Sequence, residues 1–269
     1  MSYIKSSKVF GLFMLAVLLT IQPAPSLALT AHGAIANGQG APQNDAEIQA
    51  DVAKALSNKR YKDVKIAAQG GVITLTGTVK VFSDKADAGN RARRQKNVQS
   101  INNLIVVNGP TVDDETLRDK LSEKLVYDRV GYGTTAFNAF TINVHDGVVT
   151  LGGVAFGPVD KNSAVGLVSN YPGVKDVVDH IAVAPLSPID NQIRLAEARA
   201  IYTAPQLNRY AMDPAKPIRI TVEHGVVTLS GVVDSEGDKE VANVRANGVS
   251  GVFKVINNLQ VASSPARER

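Results

Sequence analysis

Four carboxylates crowd the stretch DSEGDKE, Asp234 to Glu240, around a single glycine. Oxygen ligands of that kind can ring a calcium ion, provided that a bidentate glutamate closes the loop at its twelfth position. Counted from Asp234, the twelfth residue is Arg245, a cation where the ion needs its closing anion. The segment GYGTTA imitates a phosphate-cradling glycine loop, but it follows a helical pattern rather than a strand, and no βαβ unit surrounds it. His145, His180 and His224 have no metal-ligand spacing, and no Gly-x-Ser-x-Gly elbow presents a serine nucleophile. The sequence offers no catalytic residue, no metal ligand and no cofactor site, and it reads as that of a non-enzymatic protein.

Two features can still bind. Arg91, Arg93, Arg94 and Lys96 concentrate positive charge near the end of an expected helix. Such a cluster attracts anionic lipid headgroups by about 1 kcal/mol per cation near the surface. It has no interleaved aromatics, which argues against nucleic acid as a partner. The same charges also suit a solvated face, or pairing with an acidic neighbour. The second feature is a pair of aromatic loops, YDRVGYGTTAFNAF and YTAPQLNRYAMDPAKP, carrying Tyr127, Tyr132, Phe137, Tyr202 and Tyr210. Tyr132, Phe137 and Tyr210 are candidates for interfacial or partner contact. Loop aromatics more often cap the open side of a small core.

The elements that position these residues come in threes. QGGVITLTGTVKVFSDK, HDGVVTLGGVAFGPVDK and EHGVVTLSGVVDSEGDK align on Gly71, Gly147 and Gly225, then on Gly77, Gly153 and Gly231 six residues later. An Asp-Lys pair follows at Asp84-Lys85, Asp160-Lys161 and Asp238-Lys239, and an alanine at Ala88, Ala164 and Ala242. The copies lie 76 and 78 residues apart, long enough for each to be a small domain. Before the first glycine, apolar residues alternate (Val64, Ile66, Ala68; Phe140, Ile142, Val144; Ile218, Ile220, Val222), the mark of a half-buried strand. Gly70-Gly71, Asp146-Gly147 and His224-Gly225 suit a type I′ hairpin turn. The Gly closing the second strand marks a bulge or a close backbone approach. A helical pattern begins near Asp45, Asp114 and Asp190, weakest in the third copy, where Glu197 stands in place of Val52. Ser187-Pro188 supplies an N-cap and an N1 proline. A second helix follows each Asp-Lys, and INNLIVV, VVDHIAV and VINNLQV close the units as strands. The expected fold is α+β: three tandem domains, each helix-strand-strand-helix-strand, with two helices on one face of a three-stranded sheet.

Residues 1–28 read as a signal peptide cleaved after Ala28, with an uncleaved anchor as the alternative; the apolar run from Val9 to Ile21 is shorter than a membrane-spanning helix needs. Residues 29–44 form a flexible leader, 45–108, 111–185 and 187–262 the three domains, and 263–269 a tail. The chain has no cysteine, so export brings no disulfide and no lipid attachment through a thiol. Net charge divides the copies: +5 for 45–107, −4 for 111–184 and zero for 187–262.

The element order, together with Gly-Val-(Val/Ile)-Thr-Leu-x-Gly and a closing Val-x-Asn-Asn-Leu, resembles the BON domain (bacterial OsmY and nodulation). The third copy is closest, and the second departs most, with Asp179-His180-Ile181 in place of Asn-Asn-Leu. The resemblance implies a periplasmic cell-envelope protein linked to osmotic stress and to phospholipid surfaces, without catalytic residues. The expected partner is an anionic phospholipid membrane. The alternative is an interaction scaffold or chaperone-like protein that binds envelope proteins.

Overall fold

The structure, a computed structural model, describes residues 42–127, 135–213 and 216–262. The signal segment, most of the leader, Tyr132 and the tail lie outside the described residues. The first domain runs α1 (Pro42–Ala55), a 3-10 turn (Lys59–Tyr61), β1 (Val64–Gln69), β2 (Val72–Val79), α2 (Phe82–Arg93), β3 (Ser100–Asn103) and β4 (Val106–Val107). The second runs α3 (Asp114–Tyr127), a 3-10 turn (Thr135–Phe137), β5 (Ala139–His145), β6 (Val148–Ala155), α4 (Pro158–Ser169), β7 (Asp176–Asp179) and β8 (Ala182–Val183). The third runs α5 (Pro188–Tyr202), α6 (Arg209–Met212), β9 (Arg219–Glu223), β10 (Val226–Val233), α7 (Glu236–Asn247) and β11 (Lys254–Val261). Helix α1 starts inside the expected leader, because Pro42 suits a first helical position whose N–H has no partner to lose.

Each sheet has its second strand in the centre. A hairpin pairs it antiparallel with the first strand, and the helical crossover returns the last strand parallel on its other side. The three turns hold two successive residues at positive φ: Gly70 and Gly71, Asp146 and Gly147, His224 and Gly225. That is the type I′ conformation, whose twist matches that of the flanking strands. The closing strand is continuous in the third domain and divides into β3/β4 and β7/β8 in the others.

One apolar stripe per helix covers the sheet. Ile48 and Val52 of α1 with Leu56 just after it, and Leu117, Leu121 and Leu125 of α3, are buried against Ile73 and Leu75 or Val149 and Leu151 in their own domains. The second helices present alanine instead (Ala88 and Ala92, Ala164, Ala242 and Ala246, all fully buried) so their backbones can lie close to the sheet. The domains also share aromatics. Phe82, at the start of α2, packs on the second domain's core, and Phe137 packs on the third. Ser83 Oγ donates to Asn170 Oδ1 at 2.7 Å across the first junction.

The second glycine of each copy, expected to close the central strand, lies two residues before its end and marks a close backbone approach. A Cβ on Gly77 or Gly153 would stand 2.0 or 1.9 Å from the carbonyl oxygen of Asp63 or Ala139, and on Gly231 2.7 Å from that of Pro217. All three residues also have positive φ. Alanine at 77 or 153 is therefore expected to lower the stability of its domain by about 2 kcal/mol or more, and at 231 by less. Gly166, in mid-helix with open space around it, is the control: alanine there should stabilise by about 0.5–1 kcal/mol. Urea denaturation of the four single variants tests that order.

Candidate functional site

The repeated residues turn out to hold the domain to itself. A type I′ turn leaves two amides pointing away from the ladder, and an aspartate on the first helix accepts both. Asp45 takes Gly70 N and Gly71 N at 2.8 and 3.0 Å, Asp114 takes Asp146 N and Gly147 N at 2.7 and 2.9 Å, and Asp190 takes His224 N and Gly225 N at 3.0 and 2.8 Å. The amides of Gly147 and Asp146 hold the Asp114 carboxyl below its ordinary pKa. Burial alone would raise that of Asp190, but the Gly225 and His224 amides and the Ser187 hydroxyl pull it down.

A second fastening joins the crossover helix to the loop after the first helix. In the first domain Arg60 pairs with Asp84 (3.3 Å) and Asp87, and Tyr61 donates to Asp87. In the third, Arg209 pairs with Asp234 (2.9 Å) and Asp238, and Tyr210 donates to Asp238 (2.9 Å). Each arginine lies over its neighbouring tyrosine ring, 4.8 Å from the centroid. This Arg-Tyr pair stands in the sequence at 60–61 and 209–210 and was legible there as a repeat. Among the described residues of the second domain, Asn138 holds the corresponding aspartate, donating to Asp160 (3.0 Å) and accepting from Phe156 N (2.8 Å).

The closing strand fastens to the crossover helix through one shared position. Strand register places Asn103, Asp179 and Asn257 opposite Leu75, Leu151 and Leu229. All three lie 32 residues after the turn glycine, so the equivalent triplets are Asn103-Leu104-Ile105, Asp179-His180-Ile181 and Asn257-Asn258-Leu259. The Asn-Asn-Leu of the first copy is thus displaced by one. Leu104 is 62% exposed, and Ile105 takes the buried place. The shared side chain accepts from the amide two residues on, at 3.4, 2.9 and 3.2 Å. Asn103 and Asn257 also donate to the Lys85 and Lys239 carbonyls, at 2.8 and 3.0 Å. A carboxylate cannot donate, so in the second domain the Lys161 ammonium reaches across instead, 3.0 Å from Asp179 Oδ2 and 2.7 Å from the Ile181 carbonyl.

The binding candidates separate. Arg91 is spent on Asp87, its Nε 2.8 Å from the carboxylate. Arg93, Arg94 and Lys96 are exposed at the C-terminal end of α2 and have no acidic partner among the described residues. Tyr210 is 3% exposed, and its hydroxyl also accepts from Asp234 N, so it closes a core rather than facing a partner. Phe137 is half-buried at the second junction, 5.8 Å from Phe156. The guanidinium of Arg194, from α5, lies 4.8 Å over Phe156 and 6.0 Å from Phe137, and donates to the Val222 carbonyl at 3.2 Å. No group of metal-ligating side chains occurs among the described residues, and none of their helices is long and apolar enough to cross a membrane.

These features define a tandem α+β repeat protein whose shared residues are structural and whose copies differ at the surface. The BON domain profile matches residues 44–109, 113–185 and 205–263, and the chain belongs to the BON domain family. The third match begins after α5, the helix whose core positions depart most from the other copies. The chain is 23% identical over 200 residues to Osmotically-inducible protein Y of Escherichia coli (strain K12), covering 73% of this chain and 96% of that protein. It is 26% identical over 141 residues to an uncharacterized protein in the gshII 5′ region of Anaplasma centrale, covering 51% of this chain and 93% of that one. Among solved structures, CdsD, a structural protein of the type III secretion system of Chlamydia trachomatis, aligns over 81% of this chain and 93% of its own at 13% identity, with a TM-score of 0.23.

Glu197 replaces the leucine or valine of the other first helices. It is wholly buried, and neither carboxylate oxygen has a hydrogen-bond partner. Burial pushes its pKa from 4.5 up to about 8. Below pH 4.5 folded and unfolded chains both hold the proton. Between 4.5 and about 8 only the folded chain does, so this group lowers stability by about 1.4 kcal/mol per pH unit as pH rises, and the loss levels off above 8. Urea unfolding of the third domain between pH 5 and 8 should show that slope, and Glu197→Leu should remove it.

Proposed function

We propose that the protein is an exported, periplasmic, non-enzymatic envelope protein that engages anionic phospholipid surfaces and supports envelope integrity under osmotic stress. The observation that carries this reading is the exposed end of α2, where Arg93, Arg94 and Lys96 stand without counter-charges among the described residues. Membership of the BON family and similarity to an osmotically inducible protein support the setting. Three cations at about 1 kcal/mol each supply roughly a hundredfold preference for an anionic surface. That is enough for recruitment and too little for anchorage, so further weak contacts along the same chain have to add avidity.

A protein-binding scaffold is the second reading, and one surface favours it. Val159, Leu186 and Ile189 are 78, 93 and 69% exposed, and the first two border a cleft of about 670 Å³ beside the linker between the second and third domains. An apolar interface of that kind is little affected by salt, whereas lipid attraction is screened.

Co-sedimentation with anionic and neutral vesicles at low and high salt separates the two. Binding to anionic vesicles alone, weakened at high salt and lost when Arg93, Arg94 and Lys96 are all changed to Gln, is the expected result. Arg91→Gln should keep most of the binding, because that side chain is already neutralised by Asp87. Absence of vesicle binding by folded protein would refute the lipid reading.

A further inference from the structure

The open face of the third sheet meets the end of the second domain across a groove of about 850 Å³. Strand register sets Arg219 opposite Ser230, and Ser230 opposite Asn258. Arg219, Ser230 and Asn258 therefore start from one row across three strands, roughly 10 Å long at the usual strand spacing. Thr221 and Thr228 lie in the next row, and Thr141 lines the groove from the second domain.

Arg219 is anomalous within the structure. It makes no hydrogen bond or ion pair with any described residue, although it is largely buried. Burial draws its pKa down, opposed only by the nearby Tyr202 hydroxyl. Arg194, by contrast, meets a carbonyl and an aromatic stack, and Lys161 meets Asp179. Glu223 shares the face of Arg219 but is exposed, with a carboxylate oxygen 3.9 Å from the His224 ring. Guanidinium keeps its proton under any ordinary condition, so Arg219 stays a desolvated charge in a polar groove. Such a charge is destabilising unless an anion meets it.

We propose that this groove binds a small hydroxylated anion, with its phosphate or carboxylate held by the Arg219 guanidinium and its hydroxyls read by Ser230 and Asn258. Arginine's fork matches both anions bidentately. Serine and asparagine each donate and accept, as neighbouring hydroxyls require. A soluble polyol phosphate and a glycerophosphate headgroup share this chemistry. The site is independent of the cations on α2.

Titration calorimetry with glycerol 3-phosphate, inorganic phosphate and glycerol tests it. One-site binding of glycerol 3-phosphate, at least tenfold tighter than that of phosphate or glycerol, is expected. Arg219→Gln should weaken it at least tenfold while leaving thermal stability equal or higher. Ser230→Ala and Asn258→Ala should weaken glycerol 3-phosphate several-fold and phosphate hardly at all. Vesicle co-sedimentation of Arg219→Gln identifies the source: reduced binding supports a headgroup, and unchanged binding a soluble ligand. Absence of saturable binding by the native protein, with Arg219→Gln more stable, would overturn the proposal and leave Arg219 a merely desolvated cation.

Discussion

Two amides at the tip of a tight hairpin have no partner in their own ladder, and in every domain one helical carboxylate accepts both. This contact fixes the position of the first helix relative to the turn. It thereby decides which helical positions fall over the sheet, so that 48, 52 and 56, or 117, 121 and 125, meet the inward residues of the central strand. The crossover helix then enters on alanine, close enough for its backbone carbonyl or lysine side chain to reach the closing strand. The recurring aspartates, glycines and asparagines are consumed in this scheme and leave nothing for chemistry.

The copies differ instead in how they dispose of charge. The first domain carries an excess of cations, and at the end of α2 Asp87 takes Arg91 while Arg93, Arg94 and Lys96 have no acidic partner among the described residues. The second preserves the fastening of its closing strand with different groups, since replacing an amide by a carboxylate at 179 works only because Lys161 supplies the lost donor. The third withdraws ionisable groups from water: Glu197 in the core, Arg194 against the second domain's aromatics, Arg219 part-buried in the groove. Buried ionisable groups without full partners lower stability, and their concentration in one domain sets it apart from the other two.

Much of this was legible in the chain. The triple glycine register, the type I′ turns, the Ser187-Pro188 helix start and the helix-strand-strand-helix-strand order follow from period and residue type. So did the oddity of Glu197, as an acid on an apolar stripe. The 32-residue interval from turn glycine to Asn103, Asp179 and Asn257 was also present, although the conspicuous Asn-Asn-Leu of the first copy stands one residue out of that register. An exposed leucine beside a buried isoleucine cannot be told apart by composition.

The sequence by itself determined the local architecture, because turn geometry, strand alternation and helical spacing depend on neighbours a few residues apart. Tertiary structure alone decided which charges are free. Arg91 and Arg93 are alike in sequence, yet one faces Asp87 and the other solvent. Tyr210 and Phe137 read as loop aromatics until the crossover helix and the next domain closed over them. Pairing, burial and desolvation arise between residues distant along the chain, and those contacts exist only once the sheets are formed and the domains are joined.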